Sequence, residues 1–290
     1  MFYTETLVRL LASNDISTDD RVLVVCGGPT DADVLSELGF GRVLITNLDP
    51  SYDDEIDAYP CSRADAEDLA FRDDEFDLVV VHAGLHHCGS PHRALLEMYR
   101  VARKAAIVFE ARESLLMRLA VRLGFTSDFE LEAVTSQGLE SGGLRNGPIP
   151  NHNYRWTERE VTKVMRAADP AHVERIRFFY GLRLPTLRFD NVDAPFRRLV
   201  LKAVAPAVKV LVSLFPTQGN EFGFVIFKTG QLRDWLELRD GRLRVSREKA
   251  NERGQAYTLD KRHKAAAAKQ KSRQPSKEPS KQASKEPSDA

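Results

Sequence analysis

The sequence predicts an α/β fold, a doubly wound and mostly parallel sheet, followed by an unstructured C-terminal tail. Three observations carry this. Phe76, Leu78, Val79, Val80 and Val81 form a short apolar, β-rich run bounded by charge, the pattern of a strand buried on both faces. Arg21 to Cys26 is a similar run that enters the turn Gly27-Gly28-Pro29-Thr30 and then a helix with Val34, Leu35 and Leu38 on one face. Strands of this kind alternate with helical stretches as far as Glu110.

At 290 residues the chain is long enough for one large domain or two small ones. Lys plus Arg number 42 and Asp plus Glu number 42, so no global field points to nucleic acid or a membrane. The last 30 residues differ, with nine basic residues against three acids and a near-repeat of Ser-Lys-Glu-Pro-Ser. With almost nothing apolar to bury, they are expected to be unstructured. Cys26, Cys61 and Cys88 show no disulfide-framework spacing, which suits a reducing compartment. No signal-peptide pattern opens the chain and no apolar run approaches the roughly 20 residues of a spanning helix. The expected location is cytoplasmic.

Taken in order, Leu7, Val8, Leu10 and Leu11 make a short amphipathic helix that Asn14-Asp15 ends. After the first strand, the glycine turn and a helix closed by Gly39-Phe40-Gly41, Arg42 to Leu48 is a second strand running into Asp49-Pro50-Ser51. Asp49 stands 21 positions after Gly28, near the spacing at which an acid meets ribose hydroxyls; a turn or helix-cap Asp is the plain alternative. Asp65, Glu67 and Asp68 form an acidic turn before the strand at 76–81, and His82-Ala83-Gly84 follows it. Ser90-Pro91 opens a helix carrying Leu95, Leu96, Tyr99 and Val101, since Pro at the first position after a Ser cap is a start signal. Lys104 to Glu110 is the next strand.

From Ala111 to Arg155 the alternation stops. Leu115, Leu116, Leu119 and Val121 precede a glycine-rich run, 138–147, and His152, Tyr154, Arg155 and Trp156 close the segment as candidate substrate contacts. Thr157-Glu158-Arg159-Glu160 reads as a capping box before Val161, Val164 and Met165. His172 to Tyr180 and Glu221 to Lys228 read as two further strands. Between them, 196–215 is very apolar but interrupted by Lys202, Pro206 and Lys209, so it should not span a bilayer. It suits packing on the sheet, an oligomer contact, or a peripheral membrane or lipid-like surface.

His82, His86, His87, Cys88 and His92 bunch together, but zinc sites usually draw a second pair from a distance, so no metal is expected. His86 or His87 is a candidate general base, imidazole titrating near neutrality. A histidine that merely packs a strand-to-helix loop is the alternative.

The wording Asp65-Ala66-Glu67-Asp68-Leu69 with Phe71, then Phe76-Asp77-Leu78-Val79, then His86-His87, then Glu97-x-x-Arg100-Val101, resembles the class I S-adenosylmethionine-dependent methyltransferases of the small-molecule, type 11 kind. The likeness spans about residues 20–110. It implies a Rossmann-like sheet of seven strands with the last antiparallel, and S-adenosyl-L-methionine as cofactor. It also implies a methionine-side turn at Cys26, Gly27 and Gly28, ribose contact at Asp49 and Pro50, an adenine edge at Asp65 and Ala66, and a floor at His82 and Ala83. Of the usual three alternate glycines only the second is kept, as Gly28; Cys26 and Thr30 stand at the first and third, and Val24 in place of the acid. The chain then divides into an N-terminal helix at 1–14, a methyltransferase domain at 15–230 with a substrate-covering insertion at 111–156, and an extension with a basic tail at 231–290. The expected reaction is methyl transfer to a small-molecule or lipid-like acceptor. One alternative is a fold retained for binding without catalysis. Another is a nucleotide-dependent oxidoreductase, although Cys26 to Asp31 lacks the Gly-x-Gly-x-x-Gly of a dinucleotide loop.

Overall fold

The computed structural model describes residues 1–52, 55–56, 59–184 and 195–272. Its contacts divide into two units, Met1–Gln231 and Leu232–Ala290. In chain order the first unit contains α1 (Phe2–Ala12), β1 (Val22–Val25), α2 (Pro29–Glu37), β2 (Val43–Asn47), β3 (Glu55–Ile56), β4 (Tyr59–Arg63), β5 (Phe76–His82), α3 (Pro91–Val101) and β6 (Ala102–Ala111). It continues with α4 (Leu115–Arg122), α5 (Leu131–Ser136), α6 (Glu158–Ala168), β7 (Arg175–Gly181), α7 (Pro195–Leu214) and β8 (Glu221–Phe227).

The sheet order is β3-β4-β2-β1-β5-β6-β8-β7. Strands β4, β2, β1, β5 and β6 are parallel, and β8 runs antiparallel between β6 and β7. This is the expected seven-stranded, mostly parallel sheet, with the two-residue β3 added at one edge. Register places Val24 between Ile45 and Val80, and Val80 beside Ile107.

Strand alternation divides the core into two layers. Val24, Ile45, Leu78, Val80, Ile107 and Val225 pack with α1 and α2 through Tyr3, Leu7, Leu10, Val34 and Leu35. Leu23, Val25, Val79, Val81, Val108, Phe222 and Phe224 pack with α3 and α6 through Leu95, Met98, Val161 and Met165. The buried middles of the central strands, Val22–Val25 in β1, 78–81 in β5 and 105–109 in β6, are therefore apolar at successive positions, as strands covered on both sides must be. The N-terminal helix belongs to this unit, with Tyr3, Leu7 and Leu10 each 1% exposed.

Several expectations need correction. The third parallel strand, Tyr59–Arg63, was not anticipated, because Pro60 and the polar Ser62 and Arg63 break the apolar pattern. Ser90 caps α3 as expected, its Oγ accepting from Arg93 N at 3.3 Å. Thr157 Oγ1 likewise accepts from Glu160 N, yet Glu160 turns its carboxylate to His92 and Tyr154 instead of completing a capping box. Trp156 is a core residue, fully buried against Phe224 and His92, and not a surface contact.

The second unit holds β9 (Leu236–Arg239), β10 (Arg242–Val245) and α8 (Arg247–Ser272). Asp240 and Gly241, with φ of 54° and 71°, form a two-residue hairpin turn of the Asp-Gly type. The tail expected to be unstructured from residue 261 is helical as far as Ser272; 273–290 lies outside the described residues.

The turn after β1 separates the roles of its glycines. A Cβ on Gly27 would come within 2.6 Å of Val24 Cγ1 and 2.8 Å of Ile45 Cγ2, whereas one on Gly28 meets nothing within 4 Å, and Gly28 has an extended φ of −153°. We expect Gly27→Ala to lower stability by about 1–3 kcal/mol through overpacking. Gly28→Ala should melt within a degree or two of the parent by calorimetry.

Candidate functional site

The loops at the carboxyl ends of β1, β2, β4 and β5 enclose a cavity of about 200 Å³. It lies where the chain order reverses between β1 and β5, the position at which open α/β sheets receive ligands. A wider hollow of about 310 Å³ lies at the other ends of the strands, beside Asp15, Asp20 and Lys104, and includes none of the candidate residues.

Of the sequence-predicted residues, Cys26, Asp49, Asp65, Ala66, Ala83 and His87 line the cavity. Gly27, Gly28, Pro50, His82 and His86 do not, although each neighbours a lining element. The expectation that the glycine turn offers amides to a ligand changes in detail. Gly27 N donates to Thr46 O at 2.9 Å and Gly28 N donates to Asp31 Oδ2 at 3.0 Å, so Gly27 serves the close packing of β1 on β2 and Gly28 offers open space and not an amide. Cys26 adopts φ of 52° where the family pattern has glycine. Its side chain packs on the next loop, since a Cβ on Gly84 would fall 2.4 Å from Cys26 Cβ.

Asp49 is held at the end of β2. Its amide donates to Asn47 Oδ1 at 3.0 Å, and its Oδ1 accepts from Ser51 N and Ser51 Oγ at 2.9 and 2.8 Å. Both bonds to the carboxylate fall on one oxygen, and a carboxylate has a second to offer a ligand. Asn47 Nδ2 donates to Gly27 O at 2.7 Å, tying the β1 and β2 loops together.

The acidic turn has divided duties. Buried Glu67 accepts from the Gly89 and Ser90 amides, both at 2.8 Å, and anchors the start of α3. Asp65 and Glu67 both receive Arg145, at 2.5 and 2.8 Å, from the glycine-rich run of the insertion. Gly142, Gly143, Arg145 and Asn146 thus close the cavity, and none of them was singled out from the sequence. Glu97 accepts from Leu69 N, and Arg100 donates to Leu69 O and Phe71 O, fixing the same turn on α3.

At the end of β5 the two imidazoles differ. His86 Nδ1 lies 2.7 Å from Glu110 Oε2, and its Nε2 lies 3.2 Å from Glu130 Oε2. Burial alone would push His86 down, but the two carboxylates raise it to about 10, so it is cationic at neutral pH. Burial and the adjacent His86 cation push His87 down, which leaves it neutral. Glu130 is drawn down to about 2 by the His86 hydrogen bond, against the effect of burial. Only His87 of the pair has the lone pair a base needs. His82 stacks on Tyr3 at 4.7 Å and is held below its usual range, chiefly by burial. The neighbouring Cys26 side chain, and then burial, raise the Cys88 thiol above its usual range.

The substrate candidates are elsewhere. His152 lies edge-on to Phe129, Tyr154 hydrogen-bonds Glu160, and Arg155 pairs with Asp128 at 2.8 Å and with Ser127 O at 2.8 Å. They hold the insertion together, and none of the three lines the cavity. Its base is pinned by buried Arg112, whose Nη2 makes a forked pair with Glu158 at 2.7 and 2.8 Å.

Residues 24–109 match the family model for a methyltransferase domain. Over that stretch, a little under a third of the chain, the sequence is that of a methyltransferase domain. This makes it an enzyme with S-adenosylmethionine as cofactor. No curated protein matches the chain in sequence. Similar solved structures include the YcgJ protein from Bacillus subtilis, 12% identical with a TM-score of 0.47 over 77% of this chain and 98% of that one. Another is a SAM-dependent methyltransferase from Archaeoglobus fulgidus, 11% identical, TM-score 0.44, over 78% and 94%. A third is magnesium protoporphyrin IX methyltransferase from Synechocystis PCC 6803 with bound SAH, 12% identical, TM-score 0.44, over 78% and 82%. The family match carries the assignment.

Behind the methyltransferase turn, Asp31 is buried at the start of α2, and burial pushes its carboxyl up to about 6 against the stabilising Gly28 amide. A folded pKa above the ordinary 3.8 contributes stability in full below 3.8, lost as pH rises through about 6. The loss is up to about 3 kcal/mol. We expect Asp31→Asn to remove this fall, so that thermal unfolding scans from pH 4 to 8 show the variant gaining on the parent as pH rises.

Proposed function

We propose that the cavity holds S-adenosylmethionine for methyl transfer to a small-molecule acceptor, with lipid-like molecules the favoured class. The observation that carries the cofactor pose is the joint placement of Cys26, Asp49, Asp65, Ala66 and Ala83 around one cavity at the switch point. The open space beside Gly28 would receive the methionine end, Asp49 the ribose hydroxyls, and Asp65 with the Ala66 amide the adenine edge. His82 would close the floor from the α1 side through its stack on Tyr3.

Bound there, the cofactor supplies an electrophilic methyl group on a sulfonium. The protein's part is largely alignment, which by itself removes much of the barrier to a bimolecular transfer. Where the acceptor carries a proton, neutral His87 is the imidazole suited to receive it, while cationic His86 holds the loop. His152, Tyr154 and Arg155 would act on the acceptor through the insertion they brace.

The lipid-like preference rests on an exposed apolar surface. Leu115, Leu119 and Leu123 form a stripe along and just beyond α4, all more than half exposed. The end of α7 exposes Val210, Leu214 and Phe215, and both helices pack on the turn Pro216–Gln218. Neither helix contains an acid, while Arg118, Arg122, Lys202 and Lys209 flank the apolar positions. Such a face suits an anionic bilayer surface, each basic residue near it contributing about 1 kcal/mol. Among the described residues no helix is long and apolar enough to cross a membrane.

Titration calorimetry with S-adenosylmethionine and S-adenosylhomocysteine should give micromolar binding for the parent, with Asp49→Ala weaker by at least tenfold. Equal binding by the variant would overturn the ribose assignment. In vesicle sedimentation, full-length protein should pellet with phosphatidylserine-containing vesicles and not with neutral ones. Leu119→Glu should release it without changing cofactor affinity.

A further inference from the structure

The histidines after β5 lack a distant partner in sequence, and the fold supplies one. Glu130, from the insertion, places Oε2 3.2 Å from His86 Nε2 and 3.6 Å from His87 Nε2. All three donors lie within 4.8 Å of one another, and among the described residues no other three His, Cys, Asp or Glu donors converge in this way. Around a tetrahedral ion with bonds of about 2.0–2.2 Å, adjacent donors stand about 3.3–3.6 Å apart. Two edges of the trio are close to that spacing without any ion.

The surroundings are those of a metal site. His86 Nδ1 is engaged by Glu110, whose side chain is 0% exposed, so Nε2 is the nitrogen turned to Glu130. A carboxylate behind a histidine is the usual device for orienting a metal-binding imidazole. Glu130 is itself fixed, its amide donating to Asn151 O at 3.0 Å and its Oε2 accepting from Asn151 Nδ2 at 3.3 Å. Two imidazoles with one carboxylate is a donor set of open-site zinc enzymes, which keep a fourth position for a reacting group. His87 is in the cavity wall, so that fourth position is within reach of a bound acceptor.

We propose that His86, His87 and Glu130 bind one zinc-class divalent transition-metal ion beside the methyl-transfer cavity, with Glu110 as the positioning residue. What the ion does there rests on the methyltransferase reading. An acceptor hydroxyl oxygen at the fourth position would lose its proton to solvent more readily, as metal-bound water does. That oxygen would form the new O–CH3 bond as the S–CH3 bond breaks, and the electron pair would stay on sulfur, leaving a neutral thioether. With the ion in place His87 is a ligand and no longer a base.

The test is metal binding by the full-length protein, needing neither cofactor nor acceptor. After dialysis against a chelator, Zn2+ calorimetry should give one ion per chain at micromolar affinity or tighter, and Co2+ should show the visible bands of a tetrahedral site. Glu130→Gln and His87→Ala, with unfolding of the metal-free proteins confirming that they fold, should each weaken Zn2+ at least tenfold. Glu110→Gln should weaken it about 10- to 100-fold. No stoichiometric Zn2+ binding, or equal binding by Glu130→Gln, would overturn the site and leave a clamp held by the His86 proton. Titrating the same samples with S-adenosylmethionine separates the two readings: metal without cofactor binding sustains this site and sinks the other, and cofactor without metal does the reverse.

Discussion

The functional edge of the sheet depends on one buried carboxylate. Glu110 ends the central strand β6 with its side chain fully enclosed, and such a charge persists only where its oxygens are paired. One oxygen takes the Leu85 amide and the other the His86 imidazole, both at 2.7 Å. The first bond sets the turn after β5, which forms one wall of the cavity. The second turns His86 outward to meet Glu130, so the insertion is attached to the sheet through the same acid. Order passes from strand to turn to cover by two hydrogen bonds.

A second set of charges explains why the acidic phrase resembles its family. Most of its residues serve the backbone. Glu67 holds the loop before α3, and Glu97 with Arg100 grips the turn at Leu69 and Phe71 from the helix side. The spacing Glu97-x-x-Arg100 puts both side chains on one face of α3, and their 2.7 Å pair presents them as one donor-acceptor unit. The phrase is thus an architectural signature first. Asp65, with Ala66 beside it, is the part left to face the cavity.

Much of the fold was legible because the central strands bury both faces and so read as unbroken apolar runs. Strand β4 was hidden by its edge-side chemistry, with Pro60 paired to the short β3 and polar residues beyond Cys61. The hairpin at Asp240-Gly241 carried a clear local signal that went unused. Cys26, Asp49 and Ala83 were legible from their place after apolar strands, whereas Asp65 and Ala66, which follow the hidden β4, were legible only through the resemblance of the acidic phrase. Glu130, Arg145 and Asn146 were not, because their function depends on how a long connection folds back, and no local periodicity records that. A basic residue alone in a glycine-rich run was the one available hint for Arg145. His152, Tyr154 and Arg155 drew attention by composition, yet their partners lie within the insertion and α6.

The contact of Arg145 with Asp65 and Glu67 bears on how easily the cavity can be entered. Arg145 is 51% exposed, and ion pairs so open to water are worth only about 0.2–1 kcal/mol each. A ligand bound at micromolar strength brings about 8 kcal/mol. Displacing the arginine from both acids would therefore forfeit no more than about 2 kcal/mol, roughly a thirtyfold part of the affinity. Added salt would lower even that, since screening reaches exposed pairs first. The cover over the adenine-side acids is held like a latch that any well-fitted occupant can lift, and its closed position is no barrier to traffic through the site.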